Sequence, residues 1–232
     1  MNLSPNTFIC ADSMDVMRDL PNGYANLCLT DPPYGINAAD GKNETRGKLA
    51  KPTKFTRYEW DSSPPSGKCI SELIRTATNQ IIWGGNYFAE HLNSSPCWLV
   101  WNKDNFGDFA DCELAYTSFL SAVRMFTWRW AGMLQQDMGK RKEIRYHPTQ
   151  KPVALFIWCL LNYSKPGDLI IDPFCGSGTT ALACHKTGRR FICIDREQEY
   201  IDIAKHRYAE AVAQTELFAP SEIIAEQTTI TI

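Results

Sequence analysis

Between residues 168 and 213 the chain alternates two short apolar runs with two helical patterns, and this period constrains the fold more than any other feature. Asp168-Leu169-Ile170-Ile171-Asp172 reads as a strand, Ser177 to Lys186 as a helix, Arg190 to Asp195 as a strand and Gln198 to Ala213 as a helix. Strands rich in Ile, Leu and Phe, alternating with helices, predict a parallel sheet covered on both faces. The 232 residues suit one such α/β domain and are too few for two ordinary enzyme domains.

The remainder fits the same plan. Thr7 to Ala11 is a strand run, followed by a helix with Met14, Met17 and Leu20 on one face that stops at Pro21-Asn22-Gly23. Ala25 to Thr30 is a buried-strand candidate. Ile36 to about Gly67 is polar and reads as a long loop. Gln80 to Trp83, Cys97 to Trp101, Cys112 to Tyr116 and Val123 to Trp128 are strand candidates, and Pro152 to Tyr163 is helical. The domain is expected over 1–216, with a weakly structured tail over 217–232.

Hydrophobic residues at 44% and charged residues at 22% exclude a disordered chain, and no apolar run approaches the ~20 residues of a membrane helix. Residues Met1 to Cys10 lack the basic start and apolar stretch of a secretory signal. The nine cysteines never form C-x-x-C, and most lie in apolar runs. Buried reduced thiols are expected, which fits a reducing cytoplasm, and no metal site is. Net charge is −2, unevenly spread. Lys42, Arg46, Lys48, Lys51, Lys54 and Arg57 face only Glu44. Arg124, Arg129, Lys140, Arg141, Lys142, Arg145 and Lys151 face Asp137 and Glu143. The two segments read either as solvated loops or as one phosphate-facing surface.

Two segments carry chemistry. Asp172-Pro173-Phe174-Cys175-Gly176-Ser177-Gly178-Thr179-Thr180 joins a strand to a helix, at the sheet edge where α/β proteins bind ligands. Gly176 and Gly178 permit a tight turn and close backbone approach, and the helix amides beyond favour an anionic group. Asp195 ends the next strand, where an acid holds ribose hydroxyls in doubly wound folds or merely caps the following helix. Asp31-Pro32-Pro33-Tyr34 ends the strand from Ala25. A carboxylate, free proline carbonyls and an aromatic ring suit a planar group bearing NH2; a proline turn with a packing tyrosine is the plainer alternative.

The order of these elements resembles that of the circularly permuted, β-class DNA amino-methyltransferases that use S-adenosylmethionine. In that family the [DNS]-P-P-[YFW] motif precedes F-x-G-x-G, as Asp31 to Tyr34 precedes Phe174 to Gly178 here. His147-Pro148-Thr149-Gln150-Lys151-Pro152 matches a third element, and Trp83-Gly84-Gly85-Asn86-Tyr87-Phe88 looks like a segment common among small phage-type members. The resemblance implies a single Rossmann-like class I methyltransferase domain with a mostly parallel seven-stranded sheet.

It further implies S-adenosylmethionine as cofactor and double-stranded DNA as partner. Asp31 and the Pro32 carbonyl would accept the amine protons of a flipped-out base, Pro33 would complete the motif and Tyr34 would stack on the base. Asp172, Phe174, Gly176, Ser177, Gly178 and Thr179 would shape the cofactor site, with Asp195 on the ribose and Asp12 lining the adenine side. Thr149, Gln150 and Lys151 resemble the segment that wraps the methionine carboxylate. Lys151 would pair with it directly, or simply start a surface helix. Aspartate at position 31 is typical of adenine-specific members. Cytosine 4-amino methylation is the second reading, and protein-glutamine or RNA methylation a weaker one. DNA contacts would fall to the loops over 36–67 and 129–146. A homodimer and a restriction endonuclease partner are both compatible with the family.

Overall fold

The structure, a computed structural model, describes residues 3–36, 63–105, 110–131, 134–139, 142–147 and 149–217. In chain order the elements are β1 (Thr7–Cys10), α1 (Ser13–Arg18), β2 (Ala25–Thr30), α2 (Gly67–Thr76), β3 (Ala77–Trp83), β4 (Trp98–Asn102), β5 (Cys112–Thr117) and β6 (Arg124–Thr127). There follow the short pair β7 (Trp130–Ala131) and β8 (Leu134–Gln135), then α3 (Val153–Tyr163), β9 (Leu169–Asp172), α4 (Thr179–Thr187), β10 (Arg190–Asp195) and α5 (Gln198–Leu217).

The main sheet runs β1-β10-β9-β2-β3-β5-β4-β6. Only β5 opposes the others, pairing antiparallel with both β3 and β4. The sheet has eight strands where seven are expected. The eighth is β6, which lies parallel to β4 at the outer edge, Leu99 opposite Arg124. Side chains alternate between two cores, as the period of a strand requires. Leu27, Leu29, Ile170, Phe191 and Cys193 pack with α3, α4 and Ile201 of α5. Cys28, Ile171, Ile192 and Ile194 pack with α1 and α2. Helices therefore cover both faces.

Helix α2 is absent from the sequence reading, which ends its loop at Gly67. Ser66 caps it, accepting from the Cys69 amide at 3.3 Å, and Cys69, Ile70 and Leu73 give it a buried stripe. Residues 37–62, which hold most of the expected loop and the first basic segment, lie outside the described residues, as do Lys140, Arg141 and 218–232. Residue 217, assigned to the tail, ends α5. All nine cysteines are free thiols, and all but Cys10 and Cys112 are buried. Among the described residues no helix is long and apolar enough to cross a membrane, and no cluster of His, Cys, Asp and Glu is arranged to hold a metal.

Chain connections leave β9 and β2 in opposite directions across the sheet, one toward β10 and one toward β3. The gap between their carboxyl ends is the switch point where such sheets open a crevice. Asp172 and Asp31 stand on its two sides.

Candidate active site

Both motifs converge at this crevice. Thr30, the last residue of β2, donates to Asp172 Oδ1 at 2.7 Å, so Asp31 follows directly on the strand that is tied to the glycine segment. Asp172 also accepts from the Thr180 hydroxyl and, at 3.2 Å, from the Phe174 amide. Burial pushes its carboxyl up to about 7 against these three donors. Asp172 thus ties the bend to β2 with its own carboxylate, a bracing position rather than one open to a ligand.

The bend takes left-handed backbone at Gly176 (φ 48°) and Gly178 (φ 82°). A Cβ on Gly178 would lie 2.6 Å from Ala204 Cβ, so α4 and α5 pack here only over glycine. A Cβ on Gly176 would meet nothing nearer than His147 Cδ2 at 3.8 Å, which leaves the space over the bend open. Asp195 accepts from the Gly176 amide at 2.9 Å and the Glu197 amide at 3.0 Å. It therefore caps the approach to α5 and braces the bend at once. Asp12 caps α1, accepting from the Met14 amide at 2.8 Å, at the end of the neighbouring β1. Open backbone at a helix start, with two carboxylates at adjacent strand ends, is a donor and acceptor set that fits an amino-acid nucleoside. The helix amides suit its carboxylate and Asp195 its diol.

Residues 143–147 and 149–151 strap the bend. The Gln150 carbonyl group of the side chain accepts from the Tyr146 amide (2.9 Å) and the Ser177 hydroxyl (3.1 Å), and its NH2 donates to Ile144 O (3.1 Å). Thr149 approaches His147 Nδ1 with its hydroxyl at 3.0 Å. Thr179, the first residue of α4, donates to the Lys151 carbonyl at 3.3 Å. Arg207, buried on α5, donates to Ser177 O at 2.6 Å and Ser177 Oγ at 2.9 Å. Gln150 and Ser177 are thus spent on joining strap to bend.

Lys151 is neither a surface helix start nor directed at the glycine bend. It is 5% exposed, and its ammonium lies 2.5 Å from Asp31 Oδ2, 3.0 Å from Glu113 Oε2 and 3.2 Å from the Tyr34 hydroxyl. Tyr34 donates to Asp31 Oδ1 at 2.5 Å, and Glu113 Oε2 lies 3.3 Å from the same hydroxyl. Lys103, just past β4, pairs with the other Glu113 oxygen. Burial raises the Asp31 carboxyl, the Lys151 charge draws it back, and the Glu113 charge raises it again. Partial burial raises Glu113 too, but Lys151 and then Lys103 hold it at about 2. Burial disfavours the Lys151 ammonium, and Asp31 and Glu113 more than restore it. Burial, with the Asp31 and Glu113 charges, keeps the Tyr34 hydroxyl protonated.

The Tyr34 ring rests on Gly84, where a Cβ would come within 2.0 Å of its Cε1, and stacks on Tyr87 with ring centres 4.8 Å apart. Glu113, Lys103, Tyr87 and Arg207 are given no site role in the sequence reading. Glu113 had a signal: it is the one charge in the strand run Cys112 to Tyr116. Because β5 runs against its neighbours, its first residues reach the same edge where the other strands end.

Known proteins resemble this chain in sequence and fold. A family model described as DNA methylase matches residues 120–206. The chain is 27% identical to the type II methyltransferase M.HinfI of Haemophilus influenzae, covering 88% of this chain and 68% of that protein. It is 26% identical to M.HpaI of Haemophilus parainfluenzae over 86% and 73%, and 30% identical to M2.DpnII of Streptococcus pneumoniae over 64% and 48%. Among solved structures, the fold is shared with the PvuII DNA methyltransferase (cytosine-N4-specific), at a TM-score of 0.60 and 13% identity over 89% of this chain and 87% of that one. It is also shared with the M1.HpyAVI–SAM complex, at a TM-score of 0.51 and 23% identity over 87% and 98%.

Proposed function

We propose that this chain, which belongs to the DNA amino-methyltransferases that use S-adenosylmethionine, methylates the 6-amino group of adenine flipped out of duplex DNA. The observation that carries the reading is the Thr30–Asp172 bond at the sheet's switch point, which sets the Asp-Pro-Pro-Tyr segment beside the glycine bend. Aspartate at position 31 favours adenine over cytosine in this family, and the motif order is that of its circularly permuted branch.

Bound at the bend, S-adenosylmethionine supplies an electrophilic sulfonium methyl. Gly176, Gly178 and the first amides of α4 would take its amino-acid end, and Asp195 its ribose. The chain's remaining task is to make an amine nucleophilic. An aryl amine's lone pair is delocalised into the ring. Asp31 and the Pro32 carbonyl would accept its two protons, which localises the lone pair on nitrogen. Those bonds strengthen as the nitrogen becomes tetrahedral, so they favour the transition state over the ground state. Burial raises the proton affinity of Asp31, which makes it the natural acceptor for the proton that the methylated nitrogen sheds. Tyr34 would exchange its stack on Tyr87 for the base, which offsets the few kcal/mol of unstacking. Phosphate contacts are assigned to the loops over 36–67 and 129–146.

Purified protein, tritiated S-adenosylmethionine and unmethylated plasmid DNA are expected to yield labelled 6-methyladenine on nucleoside analysis. Labelled 4-methylcytosine would transfer the reading to the cytosine amine. No label in DNA, with label entering a glutamine peptide or RNA, would overturn it. Asp31→Ala is expected to abolish turnover while calorimetry still registers cofactor binding.

A further inference from the structure

Four charges of alternating sign line one wall of the crevice: Lys103, Glu113, Lys151 and Asp31. They come from the end of β4, the start of β5, the strap before α3 and the end of β2. The Lys151 ammonium has three protons, and three acceptors meet it: Asp31 Oδ2, Glu113 Oε2 and the Tyr34 oxygen. Its carbonyl is anchored to the first residue of α4. The side chain therefore spans from the glycine bend to the proline motif with no donor left over for a cofactor carboxylate.

We propose that Lys151, fixed in place by Glu113, is a positioning residue for methyl transfer that orients the Asp31 carboxylate toward the target amine and holds it as an acceptor. The proposal rests on the amine-methylation reading above. With Oδ2 on Lys151 and Oδ1 on the Tyr34 hydroxyl, the carboxylate has a single defined orientation. An aspartate largely enclosed beside Glu113 would otherwise favour its protonated form. A protonated Asp31 offers a donor where the reaction needs an acceptor. Glu113 has two duties. It keeps the lysine charged in a buried place, and its own charge keeps the lysine from being wholly committed to Asp31. Stability alone does not explain the group, since buried ion pairs seldom outperform apolar side chains of similar volume.

The test compares Lys151→Met, Lys151→Arg and Glu113→Gln with the wild type, using unmethylated plasmid DNA. Lys151→Met is expected to lower kcat by at least about 100-fold. Its calorimetric affinity for S-adenosylmethionine should change less than about threefold, a smaller effect than losing a charged contact to the cofactor would give. The acid limb of its kcat profile should move to higher pH, because Asp31 loses its cation. Lys151→Arg is expected to restore part of kcat. Glu113→Gln, close in shape and so safer for folding, should move the acid limb to lower pH, because Asp31 loses a like charge. Carbon-13 titration of labelled aspartate in the cofactor-free protein, with Asp31 assigned by Asp31→Asn, should show the same opposite displacements. Lost cofactor affinity with kcat preserved would make Lys151 the cofactor's carboxylate partner and overturn the proposal. Unmoved Asp31 titrations in both variants would overturn it as well. A wild type that methylates no DNA would instead sink the reading on which it rests.

Discussion

His147 sits with its ring 4.5 Å from that of Tyr200 and its Cδ2 above Gly176. Burial first, then the charges of Lys151 and Arg145, bring it down to about 3. In the unfolded chain it titrates near 6.5, so between these values the folded state binds fewer protons than the unfolded one. The stability from keeping His147 neutral is complete above about pH 6.5 and is lost as pH falls toward 3. Urea unfolding at pH 7 and pH 5 should show wild type losing about 2 kcal/mol more than His147→Asn over that interval. Equal losses would mean the ring is protonated in place. At this scale the sequence was informative about identity and silent about duty. Asp172, Gln150 and Ser177 all stand at the motif positions read for cofactor contact, yet their polar atoms are met by Thr30, Thr180, Tyr146 and Arg207. Spacing along a chain does not reveal which neighbours a side chain will satisfy after folding.

At the scale of elements, the α4–α5 contact is the most exacting joint near the site. Gly178→Ala would impose a Cβ at φ 82° and press it against Ala204. We expect a destabilisation of about 2–4 kcal/mol from backbone strain and overpacking together, read from denaturant midpoints. A neutral outcome would mean that α5 can shift away from the bend. The elements most legible in the sequence were those buried on both sides, because β9 and β10 are near-continuous apolar runs. Arg190 to Asp195 matches β10 residue for residue. Helix α2 was missed although Ser66, Cys69, Ile70 and Leu73 carry a cap and a helical stripe. The polar stretch before it masked the start. The pairing of β6 beside β4 was not legible at all, since nothing local to Arg124–Thr127 specifies a neighbour 25 residues back in register.

At the scale of the whole molecule, a cofactor that binds only the folded chain stabilises all of it. S-adenosylmethionine at about 100 times its Kd is expected to add about 2.7 kcal/mol, visible as a raised unfolding temperature. Asp195→Ala should lose most of that shift, because it removes the proposed diol acceptor and slackens Gly176. A shift of wild-type size in that variant would separate Asp195 from the cofactor. Fold class and the two facing motifs were readable because each lies within one strand-turn segment. The charged wall was not, because it needs Glu113 from a strand of reversed direction.

That reversal draws the wall from distant parts of the chain. Asp31 precedes both Glu113 and Lys151 in the chain, and its enclosed position in the folded protein is matched by the Lys151 ammonium. The charged wall is therefore complete only when Lys151, from the strap before α3, has joined Asp31 and Glu113.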